Sequence, residues 1–114
     1  MNVRLIVPNS YVSGSHAMVI NPVYQYGKAI ADIAGGFTAT QATGGWIGPD
    51  GSLVVEPVTV FDISCPSPAD NTPESLADAE QPIVKLRLLA KRIASDLKQD
   101  CVYLAIDGIA EFVR

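Results

Sequence analysis

The chain holds one histidine, His16, in a Ser/Gly-rich stretch with Tyr11 and Ser15 beside it. An imidazole titrates near neutrality and can serve as a general base or a ligand contact. No partner is fixed by spacing, so the competing reading is a solvated loop residue. Cys101 directly follows Asp100. A nucleophilic thiol needs a base or a positive field; Asp100 has the wrong sign, which favours a structural thiol, and Cys65 before Pro66 reads the same way. Glu56 and Asp62 share parity on one apolar run and would face one side as a carboxylate pair if the strand were regular. Pro57 between them argues for a broken register and for solvent-facing charges. Trp46, close to a turn, reads as a packing anchor ahead of a ligand platform.

These residues need elements to position them. Val3 to Val7 is a short β-branched run ended by Pro8, a first strand. Asn9 to Ile20 reads as a long connection. Asn21-Pro22 is a helix start, with Asn as cap and Pro at the first helical position. Val23, Tyr26, Ala29, Ile30 and Ile33 then recur at helical spacing until Gly35. Gly27 inside that helix costs about 1 kcal/mol against Ala, which points to close packing. Phe37 to Ile47 and Leu53 to Ser64 form a hairpin around Gly48-Pro49-Asp50-Gly51, where Pro presets φ, Asp caps its own backbone and Gly takes positive φ. Pro57 must sit at a bulge or face an unpaired edge. Cys65 to Gln81 is a Pro-rich acidic connection, in which Thr72-Pro73-Glu74 can cap a first helical turn. Pro82 then starts the main helix or kinks a longer one, and Ile83, Leu86, Leu89, Ala90, Ile93, Ala94 and Leu97 share a face. Cys101 to Ile106 is a fourth strand, and Ile109 to Val113 a last short strand or a tail.

The order β-α-β-β-α-β predicts a single α+β domain of ferredoxin-like type, with four antiparallel strands in the order 4-1-3-2 and two helices on one face. A net charge of −4 argues against nucleic-acid binding. No run approaches the ~20 apolar residues of a membrane span, and no signal-peptide region precedes Pro8, so a cytoplasmic setting is expected. One His and two distant Cys leave a zinc set short, and neither glycine-rich stretch has the helix context of a phosphate or dinucleotide loop. No metal and no cofactor are expected, and the two cysteines are expected to be free thiols.

Gly36-Phe37-Thr38, then Gly44-Gly45-Trp46, then Asp50-Gly51-x-Leu53-x-x-Glu56-Pro57, then Gln99-Asp100-Cys101-Val102 resemble the pattern of a family of small bacterial domains of unknown function. The resemblance spans roughly residues 22 to 106. It departs at Ile93 and Leu97, where the pattern has an aromatic residue, and in the Pro-rich insertion near Cys65. It implies a fold and no activity.

The ligand-binding candidates are therefore Tyr11, His16, Trp46 and Asp50. A site is expected where the first strand ends, in a cleft between sheet and helices with Tyr11, His16 and Trp46 at its mouth. The Asn9–Ile20 loop could act as its lid, and the helix start at Asn21 favours a polar or anionic ligand. Val84 and Leu88 lie opposite the core face of the second helix, and the strands are apolar on both faces, so they are the candidates for a homo-oligomer interface. The leading functional expectation is a non-enzymatic interaction module acting as a homo-oligomer. Two alternatives stand beside it: a small dimeric α+β enzyme or small-ligand-binding protein, and a mobile-element accessory protein that blocks a host protein. An enzyme should show a pocket with convergent polar groups, and an interaction module a flat apolar face.

Overall fold

The computed structural model describes residues 1–114. Its seven strands are β1 (Asn2–Pro8), β2 (Ser10–Ser13), β3 (His16–Val19), β4 (Thr38–Ile47), β5 (Leu53–Ser64), β6 (Val102–Ile106) and β7 (Ile109–Val113); its helices are α1 (Pro22–Ala34) and α2 (Pro73–Asp96). The α+β class holds, with two helices and an antiparallel sheet. The sheet has five strands, not four, in the order β4-β5-β1-β6-β7. The Asp107-Gly108 turn sends Ile109–Val113 back along β6 as the added edge strand.

Strand alternation decides which side chains are covered. Val3, Leu5 and Val7 of β1, Phe61 and Ile63 of β5 and Leu104 of β6 point to one face and are buried against Ile30 of α1 and Leu86 and Ile93 of α2. Truncating one of these to Ala would cost about 2–5 kcal/mol. The other face carries no helix. There Ile6 stands opposite Val60 on one side and Tyr103 on the other, and Tyr103 stands opposite Phe112.

The helix signals are realised locally. The Asn21 side chain accepts a hydrogen bond from the Tyr24 N–H at 3.3 Å, and the helix closes at Gly35 with φ of 91°. Gly27 meets Phe37: a Cβ there would stand 3.0 Å from the ring edge, which accounts for a glycine inside α1. Thr72 caps α2 by accepting from the Ser75 N–H at 3.3 Å, and Asp70 holds Thr72 in place by accepting from its N–H and hydroxyl. The helix runs through Pro82, so the acidic connection is shorter than expected and the Thr72 turn belongs to one long helix.

Two further expectations change. Residues 9–20 are not a loop: β2 and β3 pair as a separate hairpin from Ser10↔Val19 to Ser13↔His16. The Ile20 N–H donates to the Asn9 carbonyl at 2.8 Å, closing its base, and the Lys98 ammonium donates to Ser13 Oγ at 3.2 Å. Pro57 also does not break β5, which pairs continuously with β4 from Thr38↔Asp62 to Ile47↔Leu53. The Pro57 carbonyl accepts from the Asn9 N–H at 3.1 Å, so its ring nitrogen faces the same side, just past the end of β1. The ladder there needs no N–H from it.

Candidate functional site

The buried interior is chemically quiet. Besides the Tyr26 hydroxyl and the Cys65 thiol, Thr59 carries the one polar side chain among the buried residues, and its hydroxyl closes a ring with Asn9 (2.7 Å) and Gln41 (3.0 Å), which bond each other at 2.8 Å. No buried side-chain nitrogen or oxygen lacks a partner. Reactive groups must therefore be sought on half-buried surfaces.

A cleft of about 410 Å³ crosses the helix-free sheet face at the C-terminal end of β1. Ile6, Pro8 and Val58 belong to its lining, with Trp46 of β4 at one end and Tyr103 of β6 and Phe112 of β7 at the other. Neighbouring strands lie ~4.8 Å apart, so three steps separate β4 from β6 by roughly 14 Å. That width suits a ligand laid across the strands better than one ring held between Trp46 and Tyr103. Gly44 keeps the middle open, since a Cβ there would stand 3.1 Å from the Val58 side chain. Tyr103 and Phe112 pack edge to face at 5.8 Å.

Glu56 is the acidic group set among these apolar walls. Continuous pairing places it directly opposite Gly44, on the parity of Val58. It is half-buried, and its carboxylate takes part in no side-chain hydrogen bond or ion pair. Burial alone pushes its pKa above the ordinary value of 4.5, because desolvation disfavours the charged form. A half-desolvated carboxylate in a cleft is a candidate proton acceptor. Asp62 lies six residues along the same face and bonds Arg4 at 3.0 Å, so the two carboxylates form no pair. Gln99, Asp100 and the half-buried Cys101 complete the rim.

The cleft lies at the end of the first strand, but on the helix-free face and not between sheet and helices. Of the ligand-binding candidates it holds Trp46, which is 44% exposed. Tyr11 is on β2, packed against the core on the helix side. His16 is exposed at the tip of the β2–β3 hairpin, and neither it nor Tyr11 lines the cleft. Asp50 shapes its own turn: its carboxylate accepts from the Ser52 N–H (3.0 Å) and hydroxyl (2.6 Å), which lower its pKa. The helix start at Asn21, the feature that argues for an anionic ligand, lies outside the cleft. Val84 and Leu88 are exposed on α2, at 46% and 63%. Cys65 and Cys101 are free thiols, the first buried with its pKa raised by that burial. No three His, Cys, Asp or Glu side chains gather to hold a metal, and no helix is long and apolar enough to cross a membrane.

No protein-family model and no curated protein matches the chain. Among solved structures, a phage SAM lyase in complex with S-methyl-5'-thioadenosine superposes with a TM-score of 0.54 at 18% identity, covering 96% of this chain and 83% of that one. A phage SAM lyase in the apo state gives 0.51 at 18% identity, with 96% and 82% covered. At this identity the likeness is one of fold. The expectation of a non-enzymatic interaction module is corrected on two counts: a cleft that holds the Glu56 carboxylate stands where a flat apolar face was required, and both structures that superpose above are of a phage SAM lyase.

Proposed function

We propose that the protein is a lyase acting on an adenosyl sulfonium, with S-adenosylmethionine as its substrate and the cleft of Trp46, Glu56, Tyr103 and Phe112 as its active site. The observation that carries the reading is Glu56: an unpaired, half-buried carboxylate between aromatic walls, on a fold shared with an enzyme of that class. Aromatic faces suit the adenine ring, since base stacking on them contributes about 1–3 kcal/mol per base.

The chemistry starts at the sulfonium. When the bond between the sulfonium and the aminobutyrate carbon breaks, its electrons stay on sulfur, and the cation becomes a neutral thioether. Positive charge is lost on the way to the transition state, so the departure of the fragment, and not the binding of the sulfonium, is what the site must favour. The departing fragment must release a proton or close on its own carboxylate. In the first of these courses Glu56, its basicity raised by burial, accepts the proton that the fragment gives up as its new double bond forms, a role worth typically ~10²–10⁴ in rate. Lys98, the hairpin and α2 lie on the other side of the sheet and take no part.

The test is direct. The purified protein is incubated with S-adenosylmethionine, and S-methyl-5'-thioadenosine is followed by chromatography. Formation at a rate proportional to protein and far above the spontaneous reaction is expected. A rate equal to that of buffer refutes the reading.

A further inference from the structure

We propose that the cleft selects its ligand by positive charge, holding a sulfonium and letting go of the neutral thioether that its cleavage leaves. The choice of adenosyl probes rests on the reading above; the charge selection rests on the cleft itself. Two carboxylates, Glu56 and Asp100, belong to its lining, and no Lys, Arg or His does. The basic residue on the same sheet face, Arg4, is engaged by Asp62 at 3.0 Å. A cation set over an aromatic face gains roughly 2- to 30-fold in affinity, and three rings line this cleft. Phe112 offers much of its ring to solvent, at 64% exposure. A phosphate ligand with no positive charge of its own would meet the opposite situation: no cation to pair with, and Glu56 facing it from half-desolvated surroundings, where repulsion is poorly screened.

The consequence reaches turnover. Substrate enters as a cation and is drawn to the rings and carboxylates. Cleavage removes that charge from sulfur, so the same groups hold the product less tightly. Charge loss therefore couples the chemical step to release without any moving lid.

Trp46 is the chain's single tryptophan and stands in the cleft wall, so its fluorescence reports occupancy. The wild-type protein is titrated with sinefungin, which carries an ammonium where the sulfonium would be, and with S-adenosylhomocysteine, which has a neutral sulfur. Adenosine 5'-monophosphate and trimethylsulfonium are titrated in parallel. Sinefungin is expected to bind at least ~10-fold tighter than S-adenosylhomocysteine, and the monophosphate more weakly than either. Glu56→Gln should narrow the first ratio to below about threefold, with Asp100→Asn, at an exposed rim position, as the second variant should Glu56→Gln not fold. Equal binding of sinefungin and S-adenosylhomocysteine overturns charge selection and leaves the adenosyl reading standing. Quenching by trimethylsulfonium with none by any adenosyl compound does the reverse. No response to any probe overturns both.

Discussion

Replacing Glu56 with Gln should move activity and stability in opposite directions. The substitution keeps the side chain's shape and removes its charge and its basicity. A lost proton acceptor lowers kcat by about 10²–10⁴, which is roughly 2.7–5.5 kcal/mol at 1.36 kcal/mol per tenfold. Stability responds to a different term. Glu56 is raised by burial and by nothing else, and no hydrogen bond or ion pair repays the desolvation of its charge. Its folded pKa lies above its unfolded one, so the neutral form is the one that folding favours. That contribution is fully present below pH 4.5 and is lost as pH rises through the folded value. At neutral pH the wild type therefore carries a cost that the Gln variant lacks, and the variant should be as stable or more stable, by up to about 0.5 kcal/mol for a position that keeps part of its solvent. Below pH 4 the advantage should vanish. Urea melts at pH 3.5, 5.5 and 7.5, beside single-turnover rates, read both arms. A variant that loses activity and stability together would give Glu56 a structural role and refute the reasoning. A variant that keeps full activity would remove Glu56 from the chemistry.

Two further predictions concern the helices. The fully buried Tyr26 donates its hydroxyl to Asp96 at 3.1 Å, and burial first, then Asp96, pushes its pKa up to about 12. The neutral phenol is favoured in the fold, so its contribution holds below pH 10 and is lost as pH rises towards 12. Tyr26→Phe should cost about 1 kcal/mol at pH 7, and alkaline melts should show the gap from wild type closing above pH 10; a constant gap would refute the assignment. Self-association is the other prediction: light scattering should give a mass above the 12.1 kDa of one chain, and Leu88→Glu, at an exposed α2 position, should reduce it without lowering the melting temperature. A wild-type protein that stays monomeric at micromolar concentration would remove Val84 and Leu88 as an interface.

The helices and the long hairpin could be read from the residues because their signals are local. Asn21-Pro22, Gly35 and the repeat of apolar residues from Ile83 to Leu97 each act within a few turns of chain, and Gly48 to Gly51 carries its own turn chemistry. The β2–β3 hairpin was missed because Val12, Met18 and Val19 are exposed and no alternation marks them. For β7 the residues left strand and tail both open, because three of its five residues are exposed at a sheet edge.

Glu56, weighed as half of a carboxylate pair with Asp62, reads from the sequence as a solvent-facing charge for a different reason. Pro57 is a sound local argument against a regular strand, and it fails here because β1 stops at Pro8, one residue before the missing N–H would matter. The Asn9 carbonyl, free for lack of that donor, is taken up by Ile20 from the hairpin. The hairpin thus lets β5 run straight, and a straight β5 turns Glu56 to the open face opposite Gly44. One signal of this was present in the sequence: an acidic residue between Val54 and Val58 at matching parity, facing a strand that carries two consecutive glycines. A carboxylate on an apolar strand face opposite a gap in the neighbouring side chains is a place where something else belongs. What joins it to Trp46, Tyr103 and Phe112 is strand order, which brings residues 46 and 112 to opposite ends of one trough through four pairings, two of them, β5 with β1 and β1 with β6, distant in sequence. The cleft is a property of the sheet's topology, and its chemistry becomes readable only once the sheet is assembled.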